Sequence, residues 1–164
     1  MKNNCMNKKC HKIMFVCLGN ICRSPMAEFI MKDLIKREHA DADCDFIIAS
    51  AATSDEVAGY PVYPPAQREL AAHGIDCAGK RAVQLTYGDY GRYDMFLCMD
   101  NQNLLDTQRI FNGDPDGKAC LLLSLTEKSG EIADPWYSGD FAAAYSQILR
   151  GCKALLAELA GGNN

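Results

Sequence analysis

A cysteine and an arginine, Cys17 and Arg23, stand at the two ends of a short glycine-containing loop in the stretch FVCLGNICRSPMAE. The loop follows an apolar run and precedes a helical pattern, so its backbone N–H groups can point into one concave space. Such a space binds a phosphate-like dianion, and a guanidinium can hold two of its oxygens. A thiolate beside the bound group is a nucleophile aimed at phosphorus. The loop therefore indicates a phosphate site with a candidate nucleophile and a candidate phosphate ligand.

The elements around this loop alternate between strand and helix. Apolar runs predict four buried strands, over residues 12–17, 45–51, 93–100 and 118–124. Helical periodicity follows each strand, over residues 24–35, 64–74, 101–111 and 141–159. Ser24 is predicted to be the N-cap of the first helix, with Pro25 in its first turn. This alternation predicts a three-layer α/β fold, in which helices cover both faces of a four-stranded parallel sheet and the phosphate-binding loop follows the first strand.

Length and composition indicate one ordinary globular domain. The chain has 164 residues, of which 48% are hydrophobic and 23% charged. We expect the domain to span residues 12–160, between a polar, flexible amino-terminal tail (1–11) and a carboxyl-terminal tail (161–164). The net charge of −4 favours neither nucleic acid nor a membrane surface as a partner. The first residues carry lysines but no apolar segment typical of a secretory signal, so we expect a cytoplasmic location.

Nine cysteines are scattered along the chain. An odd, dispersed set is not typical of a disulfide scaffold, and most of these thiols are expected to pack as small apolar groups. A zinc site through Cys5, Cys10 and His11 is a formal alternative, but too few ligands with a recognised spacing accompany them. A flexible tail is the better interpretation of these three residues.

The loop resembles the signature of the low-molecular-weight protein tyrosine phosphatases. VCLGNICRSPMAE is similar to the family's phosphate-binding loop, and SAATS, HGI, CMD and DPWY have counterparts in the same order. The resemblance covers residues 13–159. It implies hydrolysis of phosphotyrosine in proteins or peptides through a phosphocysteine on Cys17, with no metal and no cofactor. We expect a monomer, with a weak dimer as the alternative. Phosphate or another oxyanion would lie against a run of loop residues: Leu18, Gly19, Asn20, Ile21, Cys22, Arg23 and Ser24.

An acid is the second requirement of this chemistry. A phenol has a pKa of about 10, so its departure is helped by a positioned acid, typically by about 10²–10⁴ in rate. Asp134-Pro135 alone is a turn signal. The resemblance makes Asp134 the general acid, which later acts as the general base. It also places Trp136 and Tyr137 on the wall of the substrate cleft, with Glu56 where many family members have an aromatic or apolar side chain.

Supporting roles also follow from the resemblance. Asn20 tolerates left-handed backbone geometry, and the family pairs this asparagine with the residues matching Ser50 and His73, which hold the loop in shape. Ser24 would donate its hydroxyl to the Cys17 thiolate, and Asp100 would buttress the site from the next strand end. Ile21 stands where relatives that act on phosphoarginine have threonine, which favours phosphotyrosine here.

Cys22 lies across the same curled loop from Cys17. The curvature can bring the two Cα atoms within the ~4.4–6.8 Å that a disulfide needs, although a buried packing thiol explains Cys22 equally well. The resemblance favours a reversible Cys17–Cys22 disulfide that protects the nucleophile from irreversible oxidation.

Two other functions share a Cys-x5-Arg loop. An arsenate reductase of the same fold needs two further cysteines close together, whereas Cys77 and Cys98 are far apart in this sequence. A non-catalytic oxyanion-binding module would not need the nucleophile, the arginine and the acid loop together.

Overall fold

The structure, a computed structural model, describes residues 8–161. Its strands are β1 (Lys9–Cys17), β2 (Cys44–Ala52), β3 (Met95–Cys98) and β4 (Ala119–Leu121). Its helices are α1 (Arg23–Arg37), α2 (Pro64–Ala72), α3 (Asn101–Ile110), α4 (Pro135–Ser138) and α5 (Phe141–Gly161), and short 3-10 turns lie at Ala40–Ala42, Tyr87–Gly91 and Leu122–Leu125. No helix within residues 8–161 is both long and apolar enough to cross a membrane.

The four strands form one parallel sheet in the order β2–β1–β3–β4. Side chains alternate across the central strand β1, because successive residues of a strand point to opposite faces. Ile13 and Phe15 join an apolar core with α1, α2 and α5. Met14 and Val16 join a second core with Phe111 at the end of α3. The predicted three-layer α/β fold with helices on both faces is confirmed.

The parallel topology brings the loop after β1 and the residues that follow β2 and β3 together at the carboxyl ends of the strands. Cys17 is the last residue of β1 and pairs with Ala52, the last residue of β2. Asp100 follows the end of β3 and caps α3 through a hydrogen bond from the Asn103 backbone N–H (2.8 Å). In open parallel sheets, ligands bind beyond the carboxyl ends of the strands.

The predicted boundaries are wrong at several places. β1 begins at Lys9, inside the segment predicted as a tail, because its backbone pairs with β2 from Cys44 onward and the His11 ring packs near Phe46 (5.4 Å between centroids). Residues 1–7 lie outside the described part. The last helix continues to Gly161, one residue into the predicted carboxyl-terminal tail, of which 162–164 are not described.

Three further differences concern where helices and strands begin and end. The run 118–124 was expected to be one strand, but β4 ends at Leu121 and a 3-10 turn follows, which buries Leu122 and Leu123 beneath α5. The sequence pattern predicted neither helix nor strand over residues 125–140, yet residues 135–138 form the short helix α4. Ser24 is not the N-cap of α1: the helix begins at Arg23, and the Ser24 hydroxyl is occupied by Cys17 and Asn20.

The long helix α5 packs on the sheet through a position without a side chain. A Cβ atom added to Gly151 would lie 2.5 Å from Cγ of Leu122. Leu122 is fully buried, so it has no free space to move into. Glycine is therefore required here for close approach, although it weakens a helix interior by about 1 kcal/mol relative to alanine.

We predict that Gly151→Ala lowers the free energy of unfolding by about 1–3 kcal/mol, because overpacking outweighs the gain in helix propensity. The matched control is Gly161→Ala at the end of the same helix, where an added Cβ meets no atom within 4 Å. Urea unfolding of both variants measures the difference. A Gly151→Ala protein as stable as Gly161→Ala would contradict the packing argument.

Candidate active site

The loop between β1 and α1 curls around the Cys17 thiol. Asn20 adopts a left-handed conformation, with φ of 57°, as expected from its residue type. Its backbone N–H donates to Cys17 Sγ at 3.3 Å, and Ser24 Oγ lies 3.0 Å from the same sulfur. Two groups that can donate protons thus surround one sulfur, an arrangement that stabilises negative charge on it.

Arg23 starts α1 and lies beneath the cleft, only 3% exposed. Its Nη1 donates to Asp100 Oδ2 at 2.7 Å and to the Ile132 carbonyl at 2.9 Å. Burial acts to lower the pKa of Arg23, but the neighbouring Cys17, Asp100 and Asp134 outweigh it and raise that pKa above its usual value. The guanidinium is therefore a fixed positive charge at the far end of the loop.

Asp134 reaches the same cation from another segment. Its Oδ2 lies 3.4 Å from Arg23 Nη2, while its Oδ1 accepts the Trp136 backbone N–H at 3.0 Å as the N-cap of α4. Pro135 occupies the first position of that helix, where its missing N–H has no cost. The cap and the proline together fix where this carboxylate points.

These groups open into one cleft with a volume of about 230 Å³. Trp136 and Tyr137, which are 53% and 83% exposed, form part of its wall, and the Trp136 ring packs near Tyr63 (4.7 Å between centroids). Glu56 lies on the rim. The full lining consists of the loop, a segment after β2 and the α4 region: Cys17, Leu18, Gly19, Ile21, Cys22, Arg23, Ser54, Glu56, Val57, Asp134, Trp136 and Tyr137.

The side chain of Asn20 ties the loop to its neighbours. Nδ2 donates to Ser24 Oγ at 2.8 Å and to Ser50 Oγ, on β2, at 2.9 Å. Oδ1 accepts the Val83 backbone N–H at 3.1 Å. All of these side chains are buried, so the loop is held by bonds that are difficult to exchange for water.

The expected role of His73 is wrong. Among the described residues, its contacts are a stacked ring of Tyr145 (3.7 Å between centroids) and Glu69 Oε1 at 3.3 Å, not Asn20 or Ser50. His73 is the C-cap of α2, and its side chain points at α5 rather than at the cleft. The cation near Ser50 is the partly buried Lys80, whose Nζ donates to the Ser50 carbonyl at 3.0 Å.

Sequence reasoning missed Lys80 and also Glu28. Glu28 accepts the Ser50 hydroxyl at 2.6 Å and lies 3.3 Å from Lys80 Nζ. The only signal in the sequence was its spacing from Lys32, which is typical of an exposed helix pair. Lys80 follows a glycine in a loop and carried no signal.

The other thiols differ from Cys17 in their surroundings. Cys22 lines the cleft, and burial, followed by the charges of Cys17 and Asp134, raises its pKa to about 12. Cys98 is fully buried in β3, where burial raises its pKa to about 12, and burial also raises the pKa of Cys77. Within residues 8–161 no three histidine, cysteine or carboxylate side chains cluster as metal ligands, and Cys5 lies outside that range.

The arrangement can bind a tetrahedral dianion and attack it. The curled loop offers N–H donors, Arg23 a fork, Cys17 a nucleophile from below and Asp134 a carboxyl group at the mouth. A phosphoryl group held in this way has its leaving oxygen directed outward between Asp134 and the aromatic wall.

Comparison with known proteins agrees with this chemistry. The family model described as low molecular weight phosphotyrosine protein phosphatase matches residues 12–163. The chain is 39% identical over 149 residues to the low molecular weight phosphotyrosine protein phosphatase of Sus scrofa, covering 88% of this chain and 92% of that one. The crystal structure of YfkJ from Bacillus subtilis has a TM-score of 0.88 at 30% identity, covering 96% of this chain and 99% of that one.

A second solved structure carries a different activity in its name. The Drosophila arginine phosphatase DARP has a TM-score of 0.81 at 31% identity, covering 90% of this chain and 97% of that one. Neighbours on this fold therefore differ in the phosphorylated side chain that they are named for. The family model and the similar proteins together show that this chain belongs to the low molecular weight phosphotyrosine protein phosphatases and is a hydrolase.

Proposed function

We propose that this protein hydrolyses phosphotyrosine monoesters of proteins or peptides, with Cys17 as the nucleophile. The observation that carries the proposal is the Cys17 sulfur, which lies against Ser24 Oγ and the Asn20 N–H at the floor of a cleft shared with Arg23 and Asp134. Family membership supports the reaction class, and the geometry supports the division of roles among these residues.

In the first step, Cys17 Sγ attacks phosphorus and the bond from phosphorus to the phenol oxygen breaks. Asp134 gives its proton to the departing phenolate, so tyrosine leaves as a neutral phenol. Arg23 and the loop N–H groups hold the three remaining phosphoryl oxygens. Arg23 must share its fork with the ligand, which loosens its 3.4 Å contact with Asp134 and leaves that carboxyl free for the leaving group.

In the second step, a water molecule attacks the phosphorus of phosphocysteine. Asp134, now ionised, takes a proton from that water, and the phosphorus–sulfur bond breaks to release inorganic phosphate. The sulfur leaves as a thiolate, which the Ser24 hydroxyl stabilises at 3.0 Å. The two steps use the same acid–base group in opposite directions, and neither requires a metal or a cofactor.

The cleft favours tyrosine as the phosphorylated side chain. The nucleophile is only 3% exposed, so the substrate's phosphoryl group must reach below the exposed rings of Trp136 and Tyr137. A phosphoserine side chain is too short for that depth, whereas an aromatic ring can pack on the wall. Ile21, an apolar residue, lines the cleft.

A monomer in the cytoplasm, acting without nucleic acid or membrane, remains our expectation.

Reduction of arsenate is a weaker candidate. It would require a thiol relay from the site to the surface, but of the described thiols besides Cys17 only Cys22 lines the cleft. Cys77 and Cys98 belong to separate apolar cores. The acid loop that carries Asp134 has no role in such a relay.

We predict that Cys17→Ser abolishes hydrolysis of an aryl phosphate while phosphate binding is retained, because a serine hydroxyl keeps the shape but does not ionise near neutral pH. Cys10→Ser, at the opposite end of the same strand, is the matched control and should behave as wild type. Steady-state kinetics and competition by inorganic phosphate measure the two properties, with arsenate reduction assayed in parallel. Undiminished turnover in Cys17→Ser would exclude this nucleophile.

We predict that Asp134→Asn loses about 10²–10⁴ in rate on phenyl phosphate but much less on an ester of a strongly acidic phenol, since a good leaving group needs little protonation. Asp140→Asn, which alters the Asp140–Ala143 hydrogen bond at the start of α5, is the control for general disturbance of the segment. Equal losses on both esters would show that Asp134 does not protonate the leaving group.

We also predict that peroxide inactivates the enzyme reversibly through Cys22. Hydrogen peroxide converts the Cys17 thiolate to a sulfenic acid, and Cys22 then attacks that sulfur, forming a disulfide and releasing water. Oxidation removes the Cys17 charge that helps to raise the pKa of Cys22, which favours its ionisation at that moment. Dithiothreitol should restore wild type but not Cys22→Ser. Equal recovery, with no Cys17–Cys22 peptide in mass mapping, would disprove the switch.

A further inference from the structure

Behind the loop lies a buried carboxylate, which has no role in the proposed chemistry. Glu28 is on α1, one turn after Ser24, and is 5% exposed. Its Oε2 accepts from Lys32 Nζ at 2.6 Å, and its Oε1 lies 3.3 Å from Lys80 Nζ. The same Oε1 accepts the Ser50 hydroxyl at 2.6 Å. Burial pushes the pKa of Glu28 up, but the hydrogen bonds from Lys32 and Ser50 and the charge of Lys80 outweigh it and hold that pKa below its usual value.

From this carboxylate the direction of each hydrogen bond can be assigned in turn. An ionised carboxylate only accepts, so the single Ser50 proton points at Glu28. Ser50 Oγ must then accept from Asn20, whose Nδ2 lies 2.9 Å away. The orientation of the Asn20 amide agrees with this, since its Oδ1 accepts the Val83 backbone N–H.

The chain of bonds ends at the nucleophile. The second proton of Asn20 Nδ2 is donated to Ser24 Oγ at 2.8 Å. Because Ser24 accepts there, its own proton points at Cys17 Sγ, 3.0 Å away. A hydrogen bond donated to the sulfur stabilises the thiolate more than the thiol, because the thiolate is the stronger acceptor and carries no proton that needs an acceptor of its own.

We propose that Glu28 is a positioning residue, which acts through Ser50 and Asn20 to keep the Ser24 hydroxyl donating to the Cys17 thiolate. The proposal rests on the proposed function only in taking Cys17 as the reactive thiolate. Lys32 and Lys80 keep Glu28 ionised in a buried place and cancel its charge. Tyr93 is a further titratable group that is affected by Glu28: its pKa is raised by burial first and then by Asp89 and Glu28.

A direct charge effect would have the opposite sign. Through space, a negative charge at Glu28 disfavours a thiolate at Cys17, so neutralising Glu28 would make the thiol ionise more readily. Through the hydrogen bonds, neutralising Glu28 removes the acceptor for the Ser50 proton and weakens the final bond to sulfur. The sign of the change in Cys17 reactivity therefore separates the two effects.

The first experiment compares wild type with Glu28→Gln in the rate of Cys17 alkylation by iodoacetate, located by peptide mass mapping. The glutamine offers one acceptor oxygen to three donors, Ser50, Lys32 and Lys80, so its amide N–H₂ competes with the Ser50 proton. At a pH where the wild-type rate still rises with pH, we expect about tenfold slower alkylation, the size of one hydrogen bond to a charged group. At high pH, where the thiol is fully ionised in both proteins, the rates should converge.

Asp33→Asn is the matched control. Asp33 also lies on α1 and pairs with a basic residue four positions later (Arg37), but it has no bond to this chain of groups. Its alkylation profile should equal that of wild type. Glu28→Gln that is alkylated as fast as wild type, or faster, at low pH would overturn the proposal.

A double-mutant cycle tests whether Glu28 acts through Ser24. Ser24→Ala should slow alkylation at low pH on its own, and adding Glu28→Gln should then produce no further slowing. A full additional loss in the double variant would overturn the proposal, since it would show a general loosening of the loop. Should Glu28→Gln fail to fold, Ser50→Ala breaks the same chain without altering the charge and is put through the same cycle.

Failure of this inference is distinguishable from failure of the proposed function. If iodoacetate labels wild-type Cys17 at low pH no faster than the remote Cys10, then Cys17 is not the reactive thiolate and the proposed function itself is lost. If wild-type Cys17 reacts rapidly and the Glu28 variant matches it, only the positioning role is lost.

Discussion

The buried charge of Arg23 determines how the carboxyl edge of the sheet is built. A guanidinium that is 3% exposed must have partners, since an isolated buried charge is strongly unfavourable. Its partners come from three places along the chain: Asp100 after β3, the Ile132 carbonyl and Asp134 at the start of α4. One cation therefore fixes the relative positions of the loop between β1 and α1, the end of β3 and residues 132–134. Removing one partner of such a pair typically costs about 3–5 kcal/mol.

The thiol side of the site relies on a different kind of interaction. Around Cys17 the contacts are neutral hydrogen bonds from a backbone N–H and a hydroxyl, supported by Asn20 and Ser50. Neutral groups in fixed directions stabilise an anion without adding a countercharge that would compete for the substrate phosphate. The Arg23 cation thus lies at the far end of the loop, where it can bind ligand oxygens, whereas the sulfur is stabilised by uncharged hydrogen-bond donors.

The sequence predicted those parts of the site whose signals are local. Cys17, Asn20 and Arg23 lie within one loop between a strand and a helix, and Asp134 precedes a proline, so spacing and family resemblance were enough to find them. Asp100 was assigned to the site through the family resemblance, and it lies 2.7 Å from Arg23 in the structure. Alternation of apolar runs predicted the sheet, but β4 is shorter than expected because Leu122 and Leu123 turn inward beneath α5.

What the sequence could not supply were contacts between distant segments. Lys80 reaches Ser50 and Val83 reaches Asn20 because the chain after α2 returns to the end of β2. There the Leu85 backbone N–H donates to the Ala52 carbonyl, and the Ala52 N–H donates to the Val83 carbonyl. His73 was assigned to the site from a motif, whereas the packing of α2 against α5 directs its ring to Tyr145. Glu28 has the spacing of a surface ion pair with Lys32, and only burial shows that it belongs to the interior.

The contact between Arg23 and Asp134 also bears on how the product leaves. The Arg23 guanidinium and the Asp134 carboxylate lie 3.4 Å apart. In the proposed mechanism the phosphoryl group shares the guanidinium with Asp134, and once it has become free inorganic phosphate no covalent bond retains it. Asp134 then competes with the product for the same cation. In the proposed mechanism Asp134 ends the second step protonated, and when it gives up that proton its carboxylate is again attracted to Arg23. This attraction would favour the release of phosphate and so limit product inhibition.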